Sequence, residues 1–289
     1  MADPYALCYL NGAYLPPAEA RISPLDRGFL FADGVYEVVP VHRHRAFRLR
    51  EHLARLDHSL AAIRLPAPLD HAQWGEIIAR LVEHGRDAEQ LVYLQVTRGA
   101  ERTRNHLFPV GVAPTVFAYS APFPAPSPET LSLGLAASVL EDTRWARCDI
   151  KSIALLANVL LRQQAADAGA AEALLVRDGW LTEGSSSSVF LCAAGRLITP
   201  PNSHSILPGT TRDAVLDWVD WLDEEIRPVA RAELDTADEV WIGSAGRGVL
   251  PVTSIDGRAV GDGSPGPQWR RTHAAWQRHL DEIAATPPL

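Results

Sequence analysis

The first third of the chain alternates short extended apolar segments with amphipathic ones. In YLNGAYL, Asn11-Gly12 separates two apolar runs, which is a β-hairpin signal. Residues 34–41, GVYEVVPV, predict an extended strand. A helix is predicted next, because apolar residues recur at helical spacing up to Pro66, at Leu53, Leu56, Leu60 and Ile63. A second helix over 70–84 precedes the strand-like LVYLQVTRG.

A proline-rich stretch divides the chain. Residues 121–128, APFPAPSP, hold four prolines in eight positions and are predicted to be a linker. Beyond it lie strand-like LSLGLAASV, a helical pattern after Lys151, and a turn at Asp178-Gly179 before WLTEG. Strands and helices do not alternate regularly and no GxGxxG or GxxxxGKS occurs, so a doubly wound sheet is not expected. We predict an α+β fold with domains over 1–120 and 129–289.

Composition narrows the classes of function. The formal net charge is −8 at pH 7, which argues against nucleic acid as a partner, since phosphate binding needs a basic face. Three scattered cysteines give no disulfide framework, and the histidines show no HExxH-type spacing, so no metal site is predicted. The N-terminus lacks a signal-peptide pattern and no apolar stretch is long enough to span a bilayer. A cytoplasmic protein without membrane partners is therefore expected.

One position differs from the rest of the basic residues. Lys151 is the only lysine in the sequence, against 26 arginines. A composition bias towards arginine accounts for the missing lysines but not for the retention of this one. A lysine amine forms Schiff bases, whereas a guanidinium effectively never deprotonates. Lys151 stands between strand-like CDI and an apolar helical pattern, where desolvation favours a neutral amine. The alternative is a solvated lysine at a helix start.

Other motifs offer partners for an anionic or pyridine-containing ligand. Glu183 ends a strand-like run in LTEGSSSSVF, and a carboxylate beside a pyridine nitrogen keeps that nitrogen protonated. Thr210 and Thr211 open a helical pattern in LPGTTR, where hydroxyls and N–H groups form an anion site. Arg55 offers a bidentate phosphate contact, and the small residues of GSAG permit close backbone approach. Taken singly, each motif has an ordinary alternative: a polar hairpin loop for LTEGSSSSVF, a helix N-cap for LPGTTR and a solvated helix arginine for Arg55.

A polar loop follows the strand-like LVYLQV. In TRGAERTRNHLFP, Arg104 and His106 form an Arg-x-His pair, a combination that can clamp a carboxylate. On the residues alone, an ordinary surface loop is the alternative.

Together these segments resemble the class IV (fold type IV) pyridoxal-phosphate enzymes, and among them most closely the D-amino-acid aminotransferases. The resemblance runs from residue 9 to 260, with markers in the family's order: DRGFLFADGVYEV, EHLARL, QVTRG, RCDIKS, LTEGSSSSVF, ILPGTTR and EVWIGSAG. It implies a smaller N-terminal α/β domain and a larger C-terminal pseudo-barrel domain. It also implies pyridoxal 5′-phosphate as cofactor and a homodimer with its active site at the subunit interface.

The resemblance implies roles for individual residues. Lys151 resembles the lysine that forms the internal aldimine and shuttles the proton of the substrate Cα. Glu183 resembles the carboxylate at the pyridine nitrogen, and Leu207 the apolar residue against the ring. Positions that resemble the phosphate cup are Arg55, Thr210, Thr211 and Ser244. Positions that resemble the substrate-carboxylate trap are Tyr36, Arg104 and His106, of which the arginine and histidine reach in from the neighbouring subunit.

Three departures from the family pattern affect this assignment. The loop from Gly99 to Arg104 is one residue longer than the D-specific pattern, which bears on the reach of Arg104. Ala245 and Gly246 stand where the family often has hydroxyls, and each lost phosphate hydrogen bond would cost about 1 kcal/mol. Ser188 stands where asparagine is common.

The resulting hypothesis is a transaminase that moves the amino group of a D-alanine-like D-amino acid to 2-oxoglutarate or pyruvate. The alternatives share the scaffold. The (R)-amine transaminases usually lack the Arg-x-His trap, and branched-chain L-amino-acid enzymes differ after the lysine, where this chain has SIALLANVL. A lyase of the aminodeoxychorismate type is disfavoured by Tyr36 and the loop of Arg104 and His106.

Overall fold

The computed structural model describes residues 7–123 and 125–285. These residues group into two compact units. Unit 1 holds the described residues up to Phe123, the segment Ile150–Ala154 and the end of the last helix from Ile283. Unit 2 holds Ala125–Asp149 and Leu155–Glu282.

The border between the two units falls within the predicted linker 121–128. One segment differs from the predicted domains, because Ile150–Ala154 groups with unit 1 and not with the residues of 129–289. Unit 1 therefore contains Lys151. The exact limits of folding domains stay a prediction.

Unit 1 is built on a six-stranded sheet. Its strands are Cys8–Leu10 (β1), Ala13–Leu15 (β2), Gly34–His42 (β3), Arg45–Ala46 (β4), Gln90–Thr97 (β5) and Thr115–Pro122 (β6). Its helices are Arg27–Phe31 (α1), Leu49–Ala62 (α2) and His71–Gly85 (α3), with a 3₁₀ turn at Pro17–Glu19. The strand order is β2-β1-β6-β5-β3-β4, and every pairing is antiparallel. The predicted Asn-Gly hairpin joins β1 to β2, with positive φ at Asn11 and Gly12.

The core of unit 1 contains α2, α3 and residues of the sheet. Alternate residues of β3, including Val35 and Val39, are fully buried together with Leu56 of α2 and Trp74 of α3. The helix α3 starts at a capping box, in which Asp70 and Gln73 exchange side-chain hydrogen bonds. The buried stripe of α2 also contains three polar residues at helical spacing: His52, Arg55 and Ser59.

Unit 2 is built on a nine-stranded sheet. Its strands are Leu135–Glu141 (β7), Glu172–Arg177 (β8), Trp180–Gly184 (β9), Ser188–Ala193 (β10), Arg196–Thr199 (β11), Asp223–Ile226 (β12), Glu239–Ser244 (β13), Gly248–Ile255 (β14) and Arg258–Ala259 (β15). Its helices are Pro128–Leu133 (α4), Leu156–Asp167 (α5), Thr210–Trp218 (α6) and Pro267–Ala285 (α7), whose end groups with unit 1, and a 3₁₀ helix covers Arg231–Asp235.

The connectivity requires this sheet to curl. Its order is β12-β11-β10-β13-β14-β7-β8-β9, with β15 paired to β14. The end strand β9 is joined to β10 by Ser185–Ser187 alone, yet five strand spacings separate them along the sheet. Such a link spans about 14 Å at most, whereas five spacings in a flat sheet are about 24 Å. The sheet therefore folds back on itself around a core that includes Leu174, Val189 and Val252.

One strand prediction and one helix prediction in unit 2 need correction. A strand was expected over LSLGLAASV, but its first three residues close α4, because Ser127 caps that helix and Pro128 occupies its first turn. The helix expected directly after Lys151 begins only at Leu156, and much of its apolar surface is exposed.

Within the described residues, no helix combines the length and the apolar character needed to cross a membrane.

Candidate active site

The backbone on both sides of Lys151 is fixed by the start of β3 and by α2. The Lys151 N–H donates to Ser59 Oγ at 3.1 Å, and its carbonyl accepts from the N–H of Tyr36 at 3.0 Å. Ser152 forms an isolated bridge with Val35. The Lys151 Nζ lies 4.2 Å from the centre of the Tyr36 ring. The amine is thus presented from a short non-helical segment, with Tyr36 as its neighbour.

A buried ion cluster lies beside this segment in unit 1. Arg55 Nε and Nη2 donate to the two carboxylate oxygens of Glu37 at 2.7 and 2.9 Å. His52 Nδ1 lies 2.8 Å from Glu37 Oε2. All three side chains are buried, so the guanidinium expected to bind phosphate is held rigidly by a carboxylate that solvent does not reach.

The charges of this cluster follow from burial and pairing. Burial works against the charge of Glu37, but Arg55 and His52 outweigh it and hold the Glu37 pKa far below its ordinary 4.5. Burial lowers the pKa of His52 from its ordinary 6.5, and the attraction of Glu37 does not offset it. The cluster is therefore a Glu37–Arg55 ion pair with a neutral imidazole that donates to Glu37 from Nδ1.

The residues expected to trap a substrate carboxylate occupy two places in unit 1. The Tyr36 ring stacks on Tyr93 at 5.6 Å and faces Lys151. Arg104 and His106 lie together instead, both against Phe31. The Arg104 guanidinium is 4.8 Å from the centre of that ring and the His106 ring is 5.1 Å from it. Both trap side chains are exposed.

In unit 2, Glu183 is held by donors from Arg144 and Leu207. Arg144 Nη1 makes a short ion pair with Glu183 Oε1, and the backbone N–H of Leu207 donates to Oε2 at 3.2 Å. Arg144 is itself held by Asp142 through two contacts of 2.9 Å. Burial opposes the charge of Arg144, but Asp142 and Glu183 outweigh it and raise its pKa. Glu183 is thus a buried, oriented carboxylate.

The predicted anion site lies at the start of α6. Thr210 and Thr211 are the first two residues of this nine-residue helix, and its cap, Gly209, supplies no side-chain acceptor. Thr211 Oγ1 is buried and has no hydrogen-bond partner among the described residues. A Cβ at Gly209 would collide with Ser188 Oγ, and one at Gly243 would lie 3.2 Å from the Thr211 methyl. The helix start, Ser188 and the end of β13, where Ser244 lies, are therefore adjacent.

Two of the serines that follow Glu183 bind a buried acid. Ser185 makes a short hydrogen bond to Glu172, and Ser187 Oγ donates to the same carboxylate at 3.1 Å. Arg247 Nη2 lies 3.9 Å from Glu172. Two of the four serine hydroxyls in this run are thus engaged by a buried acid that fixes their loop.

Sequence reasoning missed Arg144, Glu37 and His52. A signal existed for Glu37, because strand alternation places it on the face of Val35 and Val39, and a buried carboxylate needs a buried cation. His52 shares a helical face with Arg55 at i, i+3. For Arg144, the two-residue separation from Asp142 was a weak signal. Its pairing with Glu183 gave no local signal, because the two residues are 39 positions apart in the sequence.

Comparisons with known proteins agree on a family. The model of the Amino-transferase class IV family matches residues 34–255. The chain is 40% identical over 279 residues to the D-alanine aminotransferase of Bacillus licheniformis, covering 96% of this chain and 98% of that one. It is 34% identical over 278 residues to the D-alanine aminotransferase of Staphylococcus haemolyticus, with coverages of 94% and 97%.

The fold has similar solved structures. One is the branched-chain amino acid aminotransferase of Escherichia coli, at a TM-score of 0.89 and 23% identity, covering 96% of this chain and 95% of that chain. This likeness confirms the predicted α+β, fold type IV architecture. The family match spans most of the chain, and both D-alanine aminotransferases match over almost their whole length. The chain therefore belongs to the class IV aminotransferases.

Proposed function

We propose that this aminotransferase transfers the amino group of a D-amino acid of the size of D-alanine to a 2-oxo acid such as 2-oxoglutarate or pyruvate. The observation that carries the substrate class is the adjacency of Arg104 and His106 on one loop, both against Phe31. A cationic fork beside an imidazole suits a carboxylate. The two relatives named above, both D-alanine aminotransferases, support the same choice.

The residues fit the cofactor of this family, pyridoxal 5′-phosphate. An unpartnered buried hydroxyl at Thr211 and the N–H groups at the start of α6 suit a phosphate. Glu183 suits a protonated pyridine nitrogen. When bound, the cofactor supplies an electron sink for the charge that develops at the substrate Cα. We propose that its holders are Arg55, Lys151, Glu183, Leu207, Thr210, Thr211 and Ser244.

The roles of the chain's own groups follow from their surroundings. Lys151 Nζ removes the proton from the substrate Cα, and the Tyr36 ring, 4.2 Å away, limits the directions the amine can take. Arg144 and the Leu207 N–H keep Glu183 in one orientation. Glu37 keeps the Arg55 guanidinium in place, so that no reorganisation is needed when an anion binds.

We propose a homodimer in which Arg104 and His106 serve the neighbouring subunit. Exposed apolar side chains support an interface, since Phe29, Leu107 and Val110 are 77%, 74% and 98% accessible. The mass of the chain is 31.5 kDa, so light scattering after size-exclusion chromatography should give twice that value. A monomer mass at micromolar concentration would contradict the proposal.

A cytoplasmic location is proposed because Cys8, Cys148 and Cys192 are all free thiols.

The function is tested by half-reactions of the purified holoenzyme. D-alanine should convert the cofactor absorbance to that of the pyridoxamine form, and 2-oxoglutarate should reverse the change. Conversion by L-leucine or an (R)-amine, without conversion by D-alanine, would favour the branched-chain or (R)-amine alternative. Release of pyruvate from aminodeoxychorismate without any amino acceptor would favour the lyase.

The matched test of the trap is Arg104→Gln. It should raise the KM for D-alanine by about tenfold or more, because the charge-assisted contact to the carboxylate is lost. It should leave the reaction of (R)-1-phenylethylamine, an amine without a carboxylate, within about twofold of the wild type. Unchanged KM for D-alanine would remove Arg104 from the site.

A further inference from the structure

The loop that carries Arg104 and His106 is fastened at both of its ends to one short segment of unit 1. The Arg27 N–H donates to the carbonyl of Gly99 at 2.8 Å, and Asp26 forms an isolated bridge with Ala100. At the far end, Thr115 Oγ1 donates to Asp26 Oδ2 at 2.6 Å. The loop between β5 and β6 is therefore tied down where it leaves the sheet and where it returns.

The side chain of Arg27 holds the centre of the same loop. Its Nη1 donates to the carbonyl of Asn105 at 2.6 Å, and its Nη2 lies 3.4 Å from the carbonyl of His106. Its Nε donates to Asp33 Oδ2 at 2.8 Å. Because Arg27 is buried and its Nε is fixed by a carboxylate, the fork of the guanidinium sets the position of two successive peptide units.

One helical turn after Arg27, Phe31 supports the side chains of the loop. Its ring contacts the guanidinium of Arg104 and the imidazole of His106, at 4.8 and 5.1 Å between centres. The Arg27 guanidinium lies 4.9 Å from the same ring. Arg27 thus fixes the backbone of the trap, while Phe31 fixes the direction of its two polar side chains.

This anchorage bears on the extra residue in the loop. A longer loop closes with little additional entropic cost, but its polar side chains gain freedom unless something restrains them. Here the restraint comes from α1, which is itself capped by Asp26 through the Gly28 N–H at 2.7 Å. The reach of Arg104 is therefore decided by the contacts of α1 as well as by loop length.

We propose that Arg27, together with Phe31, is the positioning residue of the carboxylate trap and decides how strongly the enzyme prefers amines that bear a carboxylate. This inference rests on the proposed function. Arg27 does not touch substrate; it acts through Arg104 and His106. Its removal leaves Asp33 paired, because Arg98 donates to both oxygens of that carboxylate at 2.9 and 3.0 Å.

The test compares two amino donors in single-turnover half-reactions of the holoenzyme. Arg27→Gln should raise the concentration of D-alanine at half-maximal rate about tenfold, because two carbonyl contacts are lost. The second-order rate constant for (R)-1-phenylethylamine should stay within about twofold. Arg27→Lys, which keeps the charge, should restore part of the D-alanine response. Equal losses with both donors would show a merely structural role and overturn the proposal.

Further variants separate this inference from the proposed function. Arg102→Gln removes an exposed positive charge from the same loop and should change neither donor's reaction. Arg27→Gln added to Arg104→Gln should have little further effect on D-alanine, since both act on one contact. Fully additive effects would overturn the inference while leaving the trap intact. If Arg104→Gln alone changes nothing, the proposed trap fails first, which is a different result.

Phe31→Leu keeps the inference testable if Arg27→Gln does not fold. It retains the hydrogen-bonding groups of Arg27 and removes the aromatic ring that contacts Arg104, His106 and the Arg27 guanidinium. We expect a rise of about threefold in the half-saturating concentration of D-alanine, since an exposed cation–π contact contributes less than a charge-assisted hydrogen bond. An unchanged value in a folded Phe31→Leu variant would show that the ring does not position the trap.

Discussion

The two units keep their functional polar groups in opposite conditions. In unit 1, Glu37, His52 and Arg55 satisfy one another inside the core, and the ion pair is complete without any ligand. In unit 2, the start of α6 holds a buried hydroxyl, Thr211 Oγ1, that has no hydrogen-bond partner among the described residues. The cluster in unit 1 is complete in itself, whereas the proposed anion site in unit 2 contains a buried donor without a partner among the described residues.

This difference has a physical reason. A buried guanidinium needs a fixed counter-charge, because an unpaired buried cation is costly. Hydroxyl and backbone N–H groups carry no net charge, so leaving one of them unsatisfied costs much less. The chain therefore pairs its charge permanently and leaves a neutral donor open.

The largest expected effect comes from Lys151, whose backbone is held by Ser59 and Tyr36. Lys151→Ala should lower the turnover of D-alanine by about 1,000-fold or more, because no other lysine amine is available in the sequence. Steady-state assays coupled to pyruvate formation measure the loss, with circular dichroism as a check on folding. Lys151→Arg should be as inactive as Lys151→Ala. Normal turnover in Lys151→Ala would contradict the mechanism proposed here.

The second effect tests whether the ion cluster is preassembled. Glu37→Gln should lower the free energy of unfolding by about 3 kcal/mol, because it leaves the buried charge of Arg55 without its counter-charge. Urea unfolding followed by circular dichroism measures the change. Glu76→Gln, an exposed glutamate on α3, is the matched control and should shift stability by less than about 0.5 kcal/mol. Equal shifts for both variants would mean that Arg55 is not dependent on Glu37.

The third effect tests the open capacity of α6. Thr211→Val keeps the shape of the side chain and removes the unpartnered hydroxyl, so the cofactor-free protein should be no less stable. Its stabilisation by inorganic phosphate in thermal melts should fall by about 1 kcal/mol, the value of one hydrogen bond. Thr199→Val is the control, since Thr199 Oγ1 donates to Val189 at 2.9 Å. That variant should lose stability and keep its response to phosphate; the reverse pattern would contradict the comparison.

The sequence predicted correctly those features that depend on local patterns of residues. The Asn11-Gly12 hairpin follows from turn chemistry, and the first two long helices follow from apolar periodicity. The family, its enzyme class, its cofactor and its fold followed from ordered motifs, and the comparisons confirm them. The predicted site residues stay a prediction, although each of them has a definite place in unit 1 or unit 2.

What local patterns could not predict depends on contacts distant in sequence. Arg144 gave no clear sign of its pairing with Glu183, since the two are 39 positions apart and come together only through the pairing of β7, β8 and β9 in the sheet. The contact of Arg27 with Asn105 joins residues 78 positions apart. The error at LSLGLAASV had a local cause, because the helix start at Ser127 and Pro128 outweighed an alternating pattern.

The smallest expected effect concerns His52 and sharpens the description of the cluster of Glu37, His52 and Arg55 as complete without a ligand. Burial lowers the pKa of this imidazole below its ordinary 6.5. As the pH falls below 6.5, the imidazole of the unfolded chain therefore takes up a proton before that of the folded chain does. The free energy of unfolding should therefore decrease as the pH falls below 6.5, by at most about 1.4 kcal/mol per pH unit from this group. His52→Asn keeps an N–H donor near the Nδ1 position but cannot titrate, so its stability should fall less between about pH 6.5 and 5.5. Urea midpoints of both proteins at about pH 7.5, 6.5 and 5.5 measure the difference in slope. Parallel slopes would mean that the cluster accepts a proton in the folded state, and the contrast with the open site of unit 2 would then be one of degree.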